Sequence, residues 1–219
     1  MRKRFDDVTQ SIVDKFDTLY YNSGAWIATK WLGVSVQKIV SDLWVYQEII
    51  FELKPDVIIE TGTYNGGSAL FMASMCDLVK KGKVITIDVS PRQTEDRPVH
   101  DRIHYILGSS TDTNVFSSVK KHIKEGDKVL VVLDSNHETS YVFQEMLLYW
   151  ELVSIGSYLI VEDTNLGGNP VYHEFGPGPM MAVKEFLKTD IGKNKFVVDY
   201  NREKFFITWN PGGYLKRVQ

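Results

Sequence analysis

The sequence predicts an α/β protein: a seven-stranded, mostly parallel sheet with helices on both faces and an N-terminal helical extension. Three observations predict it. From Asp56 onward, short apolar runs such as Val57-Ile58-Ile59 and Val129-Leu130-Val131-Val132-Leu133 alternate with amphipathic stretches. Fully apolar strands are those of a parallel sheet covered on both sides. Several of these runs end in an acid or lead into a glycine. Residues 1–54 show only helical apolar spacing, interrupted by an aromatic loop.

The elements follow in order. Val8, Ile12, Phe16 and Leu19 recur at helical spacing, and Ile39, Leu43, Tyr46 and Ile50 do so again before Pro55. Between them, Tyr20 to Trp26 and Trp31-Leu32-Gly33 form an aromatic loop whose rings either pack on the sheet or a second subunit, the reading favoured for most of them, or make a wall or lid of a substrate pocket, for which Trp31 to Val34 are the best candidates. Val57–Thr61 is the first strand and Ser68–Lys80 the first core helix, broken at Gly82. Strands follow at Lys83–Asp88 and Ile103–Leu107, then a helix at Thr113–Ile123. Lys128–Leu133 is the fourth strand, Tyr141–Val153 a long helix, Tyr158–Val161 the fifth strand and Pro179–Lys188 another helix. Lys195–Asp199 and Phe205–Trp209 close the chain as an expected antiparallel pair. The expected division is 1–54 for the extension and 55–219 for the core domain.

Composition narrows the class. A chain of 219 residues holds one domain with a substantial core. Hydrophobic residues at 43% and charged residues at 24% suit a soluble globular protein. The net charge of −3 and the lack of a long basic block argue against nucleic acid as the main partner. Cys76 is the single cysteine, which excludes an internal disulfide and a cysteine-type zinc site. Met1-Arg2-Lys3-Arg4 is basic, but no apolar signal core follows and no apolar run could span a bilayer. A cytoplasmic location is expected.

The chemistry gathers at the strand ends, where open α/β sheets bind ligands. Glu60-Thr61-Gly62-Thr63-Tyr64-Asn65-Gly66-Gly67-Ser68 reads as strand, tight turn and helix start, letting bare N–H groups approach a ligand. Tyr64 stands where a dinucleotide fingerprint needs glycine, so a nicotinamide dehydrogenase is disfavoured. Asp88 ends the second strand and is placed to accept from ribose hydroxyls. Gly108-Ser109-Ser110 is small and polar enough for an adenine edge. Alone, each acid would serve equally as a helix N-cap. Asp134, Glu162 and Asp163 end the fourth and fifth strands, and three crowded carboxylates call for a hard cation, magnesium, calcium or manganese. Capping of the following loop is the bland alternative for Glu162 and Asp163. His137 follows Asp134 by three residues, in position for a general base. His173 lies in a Gly/Pro-rich loop that either folds over a substrate or simply crosses the surface.

The pattern E-x-G-x-x-x-G-G-S resembles the first motif of class I S-adenosylmethionine methyltransferases. Together with Trp31-Leu32-Gly33, the stretch from Asp42 to Glu48, Leu133-Asp134-Ser135-Asn136-His137, Ile160 to Asn165 and Phe175-Gly176-Pro177-Gly178-Pro179, it makes the chain resemble the cephalosporin hydroxylase family from about residue 30 onward. Residues 1–29 fall outside the resemblance. The resemblance implies a Rossmann-like class I methyltransferase fold and S-adenosylmethionine-dependent O-methylation of a sugar or other hydroxylated natural product. It implies Mg²⁺ on Asp134, Glu162 and Asp163, a base at His137 beside Asp134, and a homo-oligomer. The expected cofactor contacts are Glu60, Gly62, Thr63, Tyr64, Ser68, Asp88, Ser109, Ser110 and Asp134. The rivals are an oxygenase, which would want two histidines and a carboxylate, and a non-catalytic S-adenosylmethionine-binding protein.

Overall fold

A computed structural model describes residues 5–90 and 97–219; the basic residues 1–4 lie outside the described residues. The elements are α1 (Asp7–Ser23), β1 (Lys30–Trp31), β2 (Val34–Ser35), α2 (Val40–Leu53), β3 (Val57–Thr61), α3 (Gly67–Leu78), β4 (Lys83–Asp88), β5 (Ile103–Leu107), α4 (Thr113–Lys120), β6 (Val129–Leu133), α5 (Thr139–Tyr149), β7 (Tyr158–Val161), α6 (Gly178–Phe186), α7 (Asp190–Lys195), β8 (Phe196–Val198) and β9 (Tyr214–Arg217). The main sheet has seven strands in the order β5-β4-β3-β6-β7-β9-β8. The first five of that row are parallel, and β9 runs antiparallel to both of its neighbours.

Alternation along each strand builds two cores. Ile58, Val84, Leu130, Val132 and Ile160 face α2 and α3. Val57, Ile59, Ile85, Val131, Leu133 and Leu159 face the other side, against α5 and α6. Helix α2 supplies Val45, Tyr46, Ile49 and Ile50 to the first core, all buried. So the second half of the N-terminal extension shares the core of the sheet rather than forming a layer of its own.

One expectation is corrected. Phe205–Trp209 is not a strand; the antiparallel closing pair is β8 with β9. The polar groups of that segment are taken elsewhere: the Trp209 N–H donates to Asp42 Oδ2 at 2.9 Å and the Thr208 hydroxyl to Asp42 Oδ1 at 2.6 Å. A chain pinned sideways to α2 cannot also pair along a sheet. The apolar stripe of α1 faces outward. Val8, Ile12, Phe16 and Leu19 are 72%, 63%, 45% and 69% exposed. Its inner face carries Asp17, which is buried and accepts from Trp209 Nε1 at 3.0 Å. Asp6 caps the helix, accepting from the N–H groups of Val8 and Thr9.

Parallel register aligns the strand ends. The first residue beyond β3, β5, β6 and β7 donates its N–H to a carbonyl at the end of a neighbouring strand: Gly62 to Ile87 (2.8 Å), Gly108 to Asp88 (2.8 Å), Asp134 to Thr61 (2.9 Å) and Glu162 to Leu133 (3.0 Å). These four bonds set the functional residues side by side along one rim. No helix among the described residues is long and apolar enough to cross a membrane.

Candidate active site

The rim opens into a cavity of about 750 Å³, within the usual range for a small-molecule site. Gly62, Thr63, Tyr64, Ser68, Asp88, Ser109, Ser110, Asp134, His137 and Asp163 all line it. The turn after β3 is forced by close approach. At Gly62 φ is +85°, and a Cβ there would lie 1.8 Å from the Asp134 carbonyl oxygen. At Gly67 a Cβ would meet the Ser35 carbonyl at 2.1 Å. The glycines therefore let the backbone pass between β6 and the segment after β2.

Asp88 is partly engaged by the protein itself. Its Oδ2 accepts from the N–H groups of Thr63 (3.1 Å) and Tyr64 (2.8 Å), and Arg97 Nη2 is 3.1 Å away. Its Oδ1 accepts from Ser90 N–H. Asp88 thus fastens the glycine turn while facing the cavity. Ser109 and Ser110 share the Tyr141 hydroxyl at 2.7 and 3.1 Å, and Ser110 also donates to the buried Glu145 at 2.5 Å. Glu60 sits differently from its expected role. It is fully buried, accepts from Thr86 Oγ1 at 2.6 Å and is not part of the cavity wall. Burial pushes its carboxyl up to about 7. It braces the floor under the turn.

At the other end of the cavity the carboxylates are interleaved with cations. Lys38 Nζ lies 2.6 Å from Asp134 Oδ2 and 2.8 Å from Glu162 Oε1. His137 Nε2 lies 3.4 Å from Asp134 Oδ1 and 3.2 Å from Asp163 Oδ2. The buried Tyr46 hydroxyl also donates to Glu162 Oε1. Reading along the cluster, charge alternates: Glu162, Lys38, Asp134, His137, Asp163. Burial acts first on His137, lowering it, but Asp163 and Asp134 outweigh burial and carry the imidazole up to about 9. Burial raises Asp163, and it pushes Glu162 up to about 8 against the pull of Lys38. Asp134 is held below the usual range, Lys38 and His137 prevailing over burial.

The donor atoms that converge to within 4.8 Å of one another belong to Asp134, His137 and Asp163. Glu162 stands behind them, turned to Lys38 and Tyr46. The set is rich in carboxylate oxygen and holds one imidazole, which fits a hard divalent cation. It does not fit the two-histidine facial triad of an oxygenase.

The aromatic loop and the Gly/Pro-rich loop both reach the cavity, and Trp209 joins them. Tyr21, Trp26 and Trp209 form one aromatic wall, with Trp26 and Trp209 edge to face at 5.2 Å. Tyr172 and Phe175, from the Gly/Pro-rich loop, form another. Trp31, expected at the pocket, instead packs on Phe71 and donates its indole N–H to Ser74; Ser35, Val36 and Gln37 line the cavity in its place. His173 of the same loop packs on Gly168. Lys38 and Arg97 had no local signal, and Tyr46 was read only as a position of its helix and motif.

Fold and site together define a class I, S-adenosylmethionine-dependent O-methyltransferase. The profile described as Rhamnosyl O-methyltransferase/CmcI matches residues 23–218, and the chain belongs to that family. It is 35% identical over 216 residues to the Rhamnosyl O-methyltransferase of Mycobacterium leprae, covering 95% of this chain and 92% of that one. It is 36% identical over 213 residues to the Rhamnosyl O-methyltransferase of Mycobacterium tuberculosis (strain ATCC 25618 / H37Rv), covering 95% and 86%. Among solved structures, a CmcI described as an Mg–SAM form superimposes with a TM-score of 0.66 at 21% identity, over 88% of this chain and 78% of that one. MycE, described as a complex with Mg, SAH and mycinamycin VI, gives 0.51 at 16% identity, over 69% and 44%. At those identities the structural matches speak for the fold.

Proposed function

We propose that this chain transfers the methyl group of S-adenosylmethionine to a hydroxyl of a sugar, free or carried on a larger metabolite, with a magnesium-type cation in the Asp134–Asp163 cluster. One observation carries the reading: a single cavity has the glycine turn with Asp88 at one end and the Asp134–His137–Asp163 group at the other. The name Rhamnosyl O-methyltransferase, borne by relatives at 35–36% identity, supports a sugar acceptor. The aromatic walls support it too, since the C–H face of a pyranose packs well on Tyr and Trp rings.

The chain's own residues have distinct tasks. The turn from Gly62 to Ser68 holds the methyl donor, with Asp88 at its ribose and Ser109 and Ser110 at its base. S-adenosylmethionine supplies a methyl group on a sulfonium, ready for in-line displacement. Asp134 and Asp163 hold the cation, with Glu162 behind them. Bound there, the cation would lower the pKa of an adjacent hydroxyl and offset the carboxylate field that raises His137. His137 Nε2 would take the hydroxyl proton as the acceptor oxygen attacks the methyl carbon and the sulfonium C–S bond breaks, with S-adenosylhomocysteine leaving. The aromatic walls orient the acceptor and exclude water.

Methyl uptake from labelled S-adenosylmethionine by a panel of neutral glycosides tests this, with and without chelator. Transfer that needs Mg²⁺ and falls roughly a hundredfold in His137→Ala, at unchanged cofactor affinity, supports it. Full activity after verified metal removal, or cofactor binding without transfer to any hydroxyl, refutes it. We also infer a cytoplasmic homo-oligomer; the outward apolar stripe of α1 supports the oligomer, and sedimentation of the whole chain tests it.

A further inference from the structure

A buried lysine is rare, and one inside a cation site is unexpected. The Lys38 side chain is 4% exposed, with its ammonium between Asp134 and Glu162. Val36 and Ile39, both buried, anchor the backbone on either side. Tyr46 steadies Glu162 from α2. Both carboxylates therefore already have a cation on one oxygen. Three carboxylates, Asp134, Glu162 and Asp163, meet here, and Lys38 sets a fixed positive charge directly against two of them.

We propose that Lys38 is a positioning residue of the metal cluster: a resident cation that shares Asp134 with the divalent ion, holds Glu162 behind it and keeps that ion exchangeable. The proposal rests on the metal reading given above. The ion and the ammonium would share Asp134, so they would lie within roughly 5 Å of each other and repel, with little water between to screen them. Removing the ammonium while keeping the length of the side chain must then strengthen metal binding, although Asp134 and Glu162 lose the partner that fixes them for catalysis. A side chain that only filled space would have no such effect.

Mn²⁺ is the probe, its free concentration read by electron paramagnetic resonance in titrations of the whole chain. The wild type is expected to bind one Mn²⁺ per chain. Lys38→Met is expected to bind Mn²⁺ at least tenfold more tightly while losing methyl transfer, and Lys38→Arg, which keeps the charge, to stay within threefold of wild type. Lys38→Gln reads the same expectation if the methionine variant does not fold by circular dichroism. Unchanged or weaker Mn²⁺ binding in the uncharged variants, beside a wild type that binds, overturns the proposal and leaves the metal reading standing. A wild type that binds no Mn²⁺ removes both.

Discussion

Replacing Gly62 by alanine measures how tightly the turn is built into the site. Gly62 and Gly126 have nearly the same backbone, φ +85° and +84°, but a Cβ at Gly126 meets nothing within 4 Å. Gly126→Ala therefore reports the left-handed backbone cost alone, about 1–2 kcal/mol. Gly62→Ala adds a Cβ 1.8 Å from the Asp134 carbonyl oxygen and 2.5 Å from its carbon. An ordinary C···O contact is near 3.3 Å, so the ends of β3 and β6 must part by roughly 1.5 Å. That movement strains the Asp134-to-Thr61 bond of 2.9 Å, worth about 1 kcal/mol. Overpacking between two backbones adds about 1–3 kcal/mol. The expected loss is about 3–6 kcal/mol, at least 2 kcal/mol beyond Gly126→Ala. Urea unfolding at fixed pH compares the two, and calorimetry with S-adenosylmethionine should find binding lost only in Gly62→Ala. Equal destabilisation in both variants, with cofactor affinity retained, would show that β3 and β6 do not constrain the turn as described.

Further expectations concern buried acids and the cofactor side. Burial carries Asp17 from an ordinary 3.8 up to about 7, so its proton is held more firmly in the folded state. Stability should then fall as pH rises from about 4 to 7 and level off above. Asp17→Asn, which keeps an acceptor for the Trp209 indole, should flatten part of that fall and exceed wild type at pH 8 by at most about 4 kcal/mol. Asp42, raised to about 6, supplies some of the residual slope; urea midpoints across pH 4.5–8 that do not fall in wild type would contradict this. Asp88→Ala should weaken S-adenosylmethionine more than tenfold, about 1.4 kcal/mol, by removing a ribose acceptor and freeing the turn; calorimetric affinity within a fewfold of wild type would leave Asp88 with the turn alone.

What the sequence disclosed depended on how local the signal was. The β3, β4, β6 and β7 strands are runs dominated by apolar and β-branched residues, and they lie within a residue of where their patterns put them. The strand-end acids came with them, because parallel register aligns whatever follows each strand. Phe205 to Trp209 misled because its side chains suit a strand while its polar groups belong to Asp42, which lies 166 residues from Thr208. The α1 stripe faces outward, which periodicity alone could not tell, since it marks an apolar face but not which way it turns. Lys38 acts on a carboxylate 96 residues away, and nothing in Val36-Gln37-Lys38-Ile39 announces it. Glu60 was found but misassigned: a strand-end acid can point into the floor as well as into the cleft.

Asp17 and Asp42 also bear on the order in which the molecule is made. Both leave the ribosome early, and their partners Thr208, Trp209 and Tyr214 come near the end. Strands β3 to β7 and the glycine turn can assemble while synthesis continues. The wall of Tyr21, Trp26 and Trp209 cannot, because Trp209 follows those strands in the chain. A growing chain can therefore form its glycine turn before one aromatic side of the cavity is closed. A chain cut before Thr208 would carry the parallel strands with one side of the pocket missing.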